Sequence, residues 1–218
     1  MTEVTDREIA LQTKLAEMLC SKLCHDLISP IGAINNGLEF LQDADSGMAD
    51  DAAILIGGSA KRAAQKLAYF RLAFGVGGSG DNMDITTVRS LIDELAVEKK
   101  ISTEWEGEEQ RFTGAISKNF GKLMLNLALL AADCLPRGGL VTFSMPNFPQ
   151  NLDAKVVISG DKCQMRDDIK SVLEPNLNPD DLTARNVISF FCKLLAKNNG
   201  KSLILRKKSP HLIEFEIS

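Results

Sequence analysis

Between Ile9 and about Asp43, apolar residues recur at steps of three and four, which is the spacing of one side of an α-helix. This stripe consists of Leu19, Leu23, Leu27, Ile31, Ile34, Leu38 and Leu41. A second helix is predicted from about Met48 to Phe74, with a stripe of Ile56, Ala60, Ala63, Leu67, Phe70 and Phe74. Ser46 and Gly47 interrupt the pattern. Two long helices joined by so short a turn predict an antiparallel hairpin.

Such a hairpin carries more apolar surface than its two helices can bury against each other. Pairing of two copies about a twofold axis would bury the remainder in a four-helix bundle, so we predict a homodimer. The alternative is that the C-terminal half of the same chain covers the hairpin.

The glycine-rich stretch GVGGSGDN, residues 75–82, follows the hairpin. Its letters fit GxGxxG through Gly75, Gly77 and Gly80, but a phosphate-binding loop of this type follows a strand, and this stretch follows a helix. We therefore predict a flexible linker. The predicted domains are a helical hairpin over residues 1–76, a linker over 77–83 and a second domain over 84–218.

After Asp84 the pattern changes to a mixture of helices and strands. Helices are predicted in TTVRSLIDELAVEK, in ISKNFGKLMLNLALLAADCL and from about Leu182 to Lys197, and strands in ISTEWE, LVTFSM, AKVVIS, SLILRK and HLIEFEI. Clustered strands with three helices predict a two-layer α/β sandwich, with the helices on one face of the sheet. The chain as a whole is therefore predicted to be α+β.

Composition narrows the classes of function. The chain has 218 residues, of which 44% are hydrophobic and 25% charged, as is ordinary for a globular protein. Its formal net charge of −4 argues against a protein that coats nucleic acid. No apolar run is long enough to cross a bilayer, and the start MTEVTDREIALQ is acidic and polar, unlike a signal peptide. We therefore expect a cytoplasmic protein with no nucleic-acid or membrane partner.

The five cysteines have no regular spacing, which suits a reduced compartment. Cys20 and Cys24 lie one helical turn apart, so they either share a metal ion or serve as small apolar residues in the core. Because the chain has only two histidines and no second cysteine pair, we favour the core role and predict no metal site.

The stretch CHDLISPIGAI, residues 24–34, places a histidine on the polar side of the first helix. His25 lies about 160° around that helix from Leu27, so we expect it to be exposed. A neutral imidazole nitrogen is a nucleophile near pH 7, and Asp26 can accept the proton of the other nitrogen. We therefore predict that His25 accepts a phosphoryl group, with Pro30 bending the helix beside it. The alternative is an exposed histidine without a function.

The longer stretch LCSKLCHDLISPIGAINNGLEFL resembles the phospho-accepting box of two-component sensor histidine kinases. His25 falls on the phospho-acceptor, Asp26 on its acidic neighbour and Pro30 on the proline of that family. Ser29 falls where kinases carry the Thr or Asn that assists phosphatase chemistry, whereas Ile28 departs from the usual Arg. The resemblance implies catalytic roles for His25, Asp26 and Ser29.

The second half resembles the ATP-binding (GHKL, or Bergerat) domain of the same kinases. The segments NLALLAADCLPRGG, VVISGDKCQM and LTARNVISFFCKLLAKNNG resemble its asparagine box and its two glycine boxes. The residues that hold Mg²⁺, adenine and the phosphates are replaced in all three. Those positions carry Leu130 in the first box, Gly160, Lys162 and Gln164 in the second, and Arg185 and Val187 in the third. The domain therefore resembles a degenerate ATPase, and we expect it to bind no ATP.

A kinase-like hairpin followed by a disabled ATP domain resembles the ChpT family of dimeric histidine phosphotransferases over nearly the whole chain. The resemblance implies a bacterial phosphorelay of the kind that regulates the cell cycle. In it, a CckA-like hybrid kinase passes a phosphoryl group from its receiver aspartate to His25, and His25 passes it to CtrA-like and CpdR-like response regulators. Mg²⁺ is expected on the receiver, with no cofactor on this chain, and the degenerate domain is expected to help dock receivers.

The residues expected to contact receivers lie around His25 on the first helix and in a basic cluster on the second. They are Lys22, Gly32, Asn36, Lys61, Arg62 and Lys66. The basic cluster is equally consistent with a solvated helix face.

Three other functions stay open. An active histidine kinase would need ATP in the second domain. A non-catalytic dimeric adaptor would sequester a receiver without exchanging phosphate. A phosphatase acting on a receiver through Ser29 would use the same docking surface.

Overall fold

The computed structural model describes residues 6–42, 48–75, 80–107, 112–171, 173 and 178–218. It opens with two long helices, α1 (Asp6–Gln42) and α2 (Ala49–Ala73), which pack against each other as the predicted hairpin. The predicted break at Ser46 and Gly47 lies outside the described residues. Pro30 is buried inside α1, and the helix continues through it.

The two helices approach closely near the connection that joins them. A Cβ atom added to Gly37 of α1 would lie 2.6 Å from Cγ1 of Ile56 and 3.3 Å from the carbonyl oxygen of Ala52 on α2. Glycine is therefore required for this contact. The stripe predicted for α2 is only partly buried, since Ala60 and Leu67 are exposed. The buried residues of α2 are Ala52, Ser59, Tyr69, Phe70 and Ala73.

The second half contains three longer helices and seven strands among the described residues. In chain order these are β1 (Asn82–Asp84), α3 (Ile85–Glu98), β2 (Ile101–Glu106), β3 (Ala115–Ser117), α4 (Lys118–Cys134), β4 (Gly139–Ser144), β5 (Ala154–Ser159), the short α5 (Asp167–Ser171), a 3₁₀ turn (Pro179–Asp181), α6 (Val187–Asn198), β6 (Leu203–Ser209) and β7 (Leu212–Ile217). The glycine-rich stretch before β1 includes residues 76–79, which lie outside the described part of the chain.

Five strands form the main sheet in the order β2, β4, β5, β7, β6. The β2–β4 pair is parallel and the other pairs are antiparallel. Alternate residues such as Val156 and Phe215 are fully buried under the helices, whereas the opposite face carries ion pairs such as that of Lys155 with Glu214, at 3.0 Å. The predicted two-layer α/β sandwich, and with it the α+β class, is confirmed.

Two local features differ from the sequence prediction. Helix α6 begins at Val187 and not near Leu182, because a 3₁₀ turn and a side-chain-stabilised loop occupy the intervening residues. In that loop the Asn186 side chain accepts a hydrogen bond from the Thr183 backbone N–H at 2.8 Å. The short pair β1–β3 was also missed, since three residues are too few to show an alternating pattern.

The C-terminal domain packs against one end of the hairpin. The Tyr69 hydroxyl donates to the carbonyl oxygen of Leu125 at 2.6 Å, and the Asn126 amide donates to the carbonyl oxygen of Ala73 at 3.0 Å. On α1, the residues that pack against this core all precede His25. They are Leu11, Leu15, Met18, Leu19 and Leu23.

The other end of the hairpin is not covered. We call it the hairpin tip, residues 28–42 and 48–56. Its exposed apolar side chains are Ile28, Ile31, Leu38, Phe40, Leu41, Met48 and Ile54. The alternative in which the C-terminal half covers the hairpin therefore holds for one end only. Among the described helices, none is long and apolar enough to span a membrane.

Candidate functional site

His25 lies near the middle of α1 and, as predicted, points away from the helix packing. Its side chain is 84% exposed, so the ring can be reached by another protein. On the C-terminal side, Ser29 is exposed, and a Cβ added to Gly32 would meet no atom within 4 Å. Pro30 cannot donate the helical hydrogen bond to the carbonyl of Asp26. The helix surface next to the imidazole is therefore open and locally less constrained.

Asp26 connects the imidazole to the body of the protein. Its Oδ1 atom lies 3.2 Å from Nδ1 of His25, and its Oδ2 atom accepts a hydrogen bond from Nζ of Lys22 at 2.9 Å. An ionised carboxylate only accepts hydrogen bonds, so the tautomer that satisfies both groups carries its proton on Nδ1. Nε2 is then left with its lone pair exposed.

The charge state of Asp26 is set by competing effects. Burial by itself raises the pKa of this carboxyl, but the hydrogen bond and charge of Lys22, the contact with His25 and the charge of Lys66 lower it overall. Asp26 therefore stays ionised at neutral pH.

Two acidic residues of the C-terminal domain lie next to these lysines. Oε1 of Glu98, the last residue of α3, is 3.2 Å from Nζ of Lys66. Asp133 of α4 lines the same cavity as Lys22 and Asp26. Asp133 is exposed as a residue, but desolvation of its carboxyl by the surrounding protein raises its pKa, an effect that the charges of Lys22, Arg166 and Lys99 oppose.

The cavity between the hairpin and the C-terminal domain measures only about 50 Å³. Ligand sites for small molecules are several times larger. The cavity is therefore too small to hold a small-molecule ligand. Sequence reasoning missed Glu98 and Asp133, because only the fold brings α3 and α4 next to α1 and α2.

The residues predicted to contact receivers fall into two groups. Asn36 and Lys61 are exposed and Gly32 borders open space. The other three are engaged within the chain: Lys22 with Asp26, Lys66 with Glu98, and Arg62 with the Ser59 hydroxyl at 2.8 Å. The i, i+4 spacing of Lys22 and Asp26 was a signal in the sequence for the first of these pairs.

A wide groove runs beside this cluster, between α2 and the outer face of α3. Its volume is about 820 Å³, and its floor and walls combine charged and apolar side chains. They include Arg62, Gln65, Arg89, Glu94, Val97 and Phe112. At 78% exposed, Val97 is more accessible than Ile28 and Ile54 of the hairpin tip.

The segments that resemble ATP-binding boxes are held in place by buried side chains and by hydrogen bonds to backbone carbonyls. Leu130 is buried in the core, where a leucine side chain offers no ligand for Mg²⁺. Val187 is likewise buried at the start of α6. The Arg166 guanidinium donates to the carbonyl oxygen of Arg185, and the Gln164 backbone N–H donates to that of Cys134 at 2.9 Å.

Cys20 and Cys24 do not have the buried role that we favoured for them. Both are exposed on α1, whereas Cys134, Cys163 and Cys192 are buried. The prediction was wrong because it rested on the scarcity of other metal ligands and on the apolar character of cysteine, neither of which says which side of the helix is covered. Among the described residues, no group of three or more His, Cys, Asp or Glu side chains is placed to hold a metal ion.

Known proteins resemble this chain at the level of both sequence and structure. The family model of the histidine phosphotransferase C-terminal domain matches residues 85–210. The protein phosphotransferase ChpT of Brucella abortus (strain 2308) is 32% identical over 202 residues, which are 91% of this chain and 93% of that protein.

Among solved structures, a bacterial phosphotransferase matches with a TM-score of 0.80 at 29% identity, covering 94% of this chain and 95% of the other. The Acinetobacter baumannii histidine kinase AdeS matches with a TM-score of 0.44 at 13% identity, covering 89% of this chain and 97% of the other. The matches to the phosphotransferases extend over both the hairpin and the C-terminal domain. The chain therefore belongs to the ChpT family of histidine phosphotransferases.

Proposed function

We propose that this protein is the intermediate of a bacterial phosphorelay, in which His25 takes a phosphoryl group from one receiver domain and gives it to another. The observation that carries the proposal is an imidazole that is 84% exposed, with Nδ1 3.2 Å from a carboxylate. Exposure lets a receiver aspartate reach the ring, and the carboxylate leaves Nε2 free to act as the nucleophile.

The transfer balances as a displacement at phosphorus. Nε2 of His25 attacks the phosphorus of the receiver's aspartyl phosphate, an N–P bond forms, and the aspartate carboxylate leaves with the electrons of the broken O–P bond. The ring then carries a positive charge, which the ionised Asp26 stabilises through the Nδ1 proton. Mg²⁺ on the receiver would neutralise charge on the phosphoryl oxygens. The same steps in reverse, with a second receiver, complete the relay.

The donor in this proposal is the receiver of a CckA-like hybrid histidine kinase, and the acceptors are CtrA-like and CpdR-like response regulators in the cytoplasm. Receivers would contact α1 around Gly32 and Asn36, with Ser29 next to the transferring group. The groove between α2 and α3 extends this surface onto the C-terminal domain, because its apolar Val97 and its charged rim suit a protein partner. Lys61 and Arg62 lie on the hairpin side of that surface.

We further propose that the C-terminal domain binds no Mg-ATP and that the chain uses no cofactor of its own. Leu130 fills the position of the Mg²⁺ ligand with a buried apolar side chain. The contact of Arg166 with the backbone of Arg185 ties down a segment that would have to open around a triphosphate.

The working form in this proposal is a homodimer that pairs through the hairpin tip. Seven large apolar side chains of the tip are exposed in the single chain, including Ile31, Leu38 and Ile54. A second copy of the hairpin would bury them in a four-helix bundle. His25 lies at the edge of this region and would remain accessible.

The test is phosphoryl transfer to the purified protein from a receiver domain carrying labelled aspartyl phosphate, with labelled ATP alone as the parallel arm. We expect an acid-labile label that arrives from the receiver, is absent in His25→Ala and does not arrive from ATP. Asn36→Ala, which alters the proposed docking surface without touching the ring, should slow transfer and leave the His25 chemistry intact.

Other outcomes would replace the proposal. Label from ATP alone would make the protein an active kinase. Binding of phospho-receivers without transfer, unchanged by His25→Ala, would make it an adaptor that sequesters receivers.

A further inference from the structure

Lys22 occupies a position that the relay chemistry described above does not yet use. It lies one helical turn before Asp26, and its ammonium group donates to Oδ2 at 2.9 Å. Its side chain is 21% exposed and that of Asp26 is 19% exposed, while His25 next to them is 84% exposed. The pair is thus largely shielded from solvent, where a charge-assisted hydrogen bond orients its acceptor more strongly than at an open surface.

Rotation of the Asp26 carboxylate determines what His25 can donate to. With Oδ2 held by Lys22, Oδ1 is directed to Nδ1 of His25, at 3.2 Å. Without that hold, the carboxylate could turn to solvent, and the ring could carry its proton on either nitrogen. Only one of these tautomers leaves Nε2 unprotonated on the exposed side.

The C-terminal domain adds a charged group near Lys22. Asp133 of α4 lines the same small cavity, and its carboxyl senses the charges of both Lys22 and Asp26. From α2, Lys66 also acts on Asp26, while its own ammonium group is held by Glu98 of α3. The charged groups facing Asp26 thus come from α1, α2 and α4, and the balance of two lysines and a second carboxylate favours its ionised form.

We propose that Lys22 is a positioning residue for phosphoryl transfer: it fixes Asp26 so that His25 keeps its proton on Nδ1 and presents Nε2 to the receiver. This inference rests on the proposed function. It assigns Lys22 to the chemistry of the site, whereas the sequence suggested a contact with the partner.

The test compares Lys22→Met with the matched control Lys14→Met. Lys14 lies two turns earlier on α1 and pairs with the exposed Glu17 at 4.0 Å, so its loss removes the same charge from the same helix. Lys22→Met should slow single-turnover transfer from a phospho-receiver roughly ten- to hundredfold, the effect of one charge-assisted hydrogen bond. The Lys14→Met protein should accept the phosphoryl group at the wild-type rate. The Lys22→Arg protein, which keeps the positive charge, should retain most of the wild-type rate.

Nitrogen NMR of the imidazole rings measures positioning without any transfer. The chain has only two histidines. The second, His211, places Nδ1 3.2 Å from the carbonyl oxygen of Gly160, which can only accept, so it provides an internal standard for the Nδ1–H tautomer. His25 should match His211 in the wild type and become a mixture of tautomers in Lys22→Met, while His211 is unchanged. The carboxyl carbon of Asp26 should titrate at higher pH in that variant, because the main effects that lower its pKa are removed.

The transfer rates and the imidazole spectra together distinguish a failure of the proposed function from a failure of the inference about Lys22. A wild-type protein that accepts no phosphoryl group would end the proposed function, and the ring spectra would still decide whether Lys22 sets the tautomer. An active wild type with Lys22→Met unchanged in both rate and tautomer would overturn the inference alone. Slower transfer with an unchanged tautomer would overturn it as well, since Lys22 would then act by contacting the receiver.

Discussion

Helices α1 and α4 are both rich in apolar residues, yet α4 buries 12 of its 17 residues and α1 buries only 2 of its 37. Helix α4 lies at the centre of the C-terminal domain, with the sheet, α3 and α6 around it. Helix α1 has α2 along one side and the C-terminal domain at one end. The single chain therefore completes the C-terminal domain and leaves the hairpin with unsatisfied apolar surface.

This contrast explains where the chemistry is placed. The phospho-acceptor that we propose needs an accessible side chain on a stiff support, and α1 offers both at His25. The C-terminal domain has a complete core, so it can hold Asp133 and Glu98 in place beside the hairpin. The hairpin exposes the imidazole of His25. The C-terminal domain places Glu98 next to Lys66, on the side of the hairpin that carries Asp26.

The largest effect is expected from the core of the C-terminal domain. Phe215 on β7 is fully buried, and its replacement by alanine should lower the free energy of unfolding by about 3–5 kcal/mol. Trp105, the single tryptophan of the chain, stacks on Phe143 in the same domain and reports the transition by fluorescence. Because this core lies within one chain, the loss should not depend on protein concentration.

Ile204→Ala is the matched control for this experiment. Ile204 lies on the edge strand β6 of the same sheet and is 37% exposed, so its truncation should cost less than about 1 kcal/mol. Equal losses in the two variants would contradict the description of a one-sided core beneath the sheet. A concentration-dependent loss in Phe215→Ala would show that the domain also depends on a second copy.

The hairpin tip should respond differently, through association. Leu38 is 44% exposed in the single chain, and in the proposed dimer it would be buried. Leu38→Glu places an unpaired charge in that interface on both copies. We expect a cost of about 3 kcal/mol or more, equivalent to a roughly hundredfold rise in the dissociation constant of the dimer. Sedimentation equilibrium over a range of protein concentrations measures it.

Val97→Glu provides the control from the other region. Val97 is a more exposed apolar residue, but it lies on α3 in the groove assigned to receivers. This variant should leave the dissociation constant of the dimer unchanged and weaken receiver binding. If Val97→Glu dissociated the dimer and Leu38→Glu did not, the groove between α2 and α3 would be the dimer interface, and the hairpin tip would be left for receivers.

Most of the fold followed from periodicity, and its errors have local causes. The helices of the hairpin and the strands of the main sheet have long, regular patterns, and their limits were predicted within a few residues. The start of α6 was wrong because Pro179 and Asn186 build a turn whose side-chain bonds have no period. Cys20 and Cys24 were misplaced because the chemistry of cysteine, on which that prediction rested, does not say which side of a helix is covered.

Some features of the candidate site were also predictable from the sequence, and others were not. The exposure of His25 followed from its angle to the apolar stripe, and the pair of Lys22 with Asp26 was readable as an i, i+4 spacing. Glu98 and Asp133 could not be predicted, since their sequence neighbours give no sign that α3 and α4 approach the hairpin. Contacts within one helix are local in sequence, whereas contacts between the two regions require the fold.

The smallest effect concerns two glycines of α1 that differ in what surrounds them. Gly37→Ala would bring a methyl group within 2.6 Å of Ile56 and 3.3 Å of the carbonyl oxygen of Ala52, so the helices must separate there. We expect a loss of about 1–2 kcal/mol in the free energy of unfolding. Gly32→Ala meets no atom within 4 Å and replaces a poor helix former, so it should stabilise the hairpin by about 0.5–1 kcal/mol.

The opposite signs make this pair a sensitive test of the hairpin packing. Both substitutions add the same methyl group to the same helix, so the difference between them reports only the neighbouring surface. Chemical denaturation followed by circular dichroism, at one fixed protein concentration, measures both. A destabilising Gly32→Ala would mean that a surface outside the single chain packs against α1 at that position. Because Gly32 belongs to the hairpin tip and lies on the His25 side of α1, that surface would be a second copy whose pairing along the tip reaches close to His25.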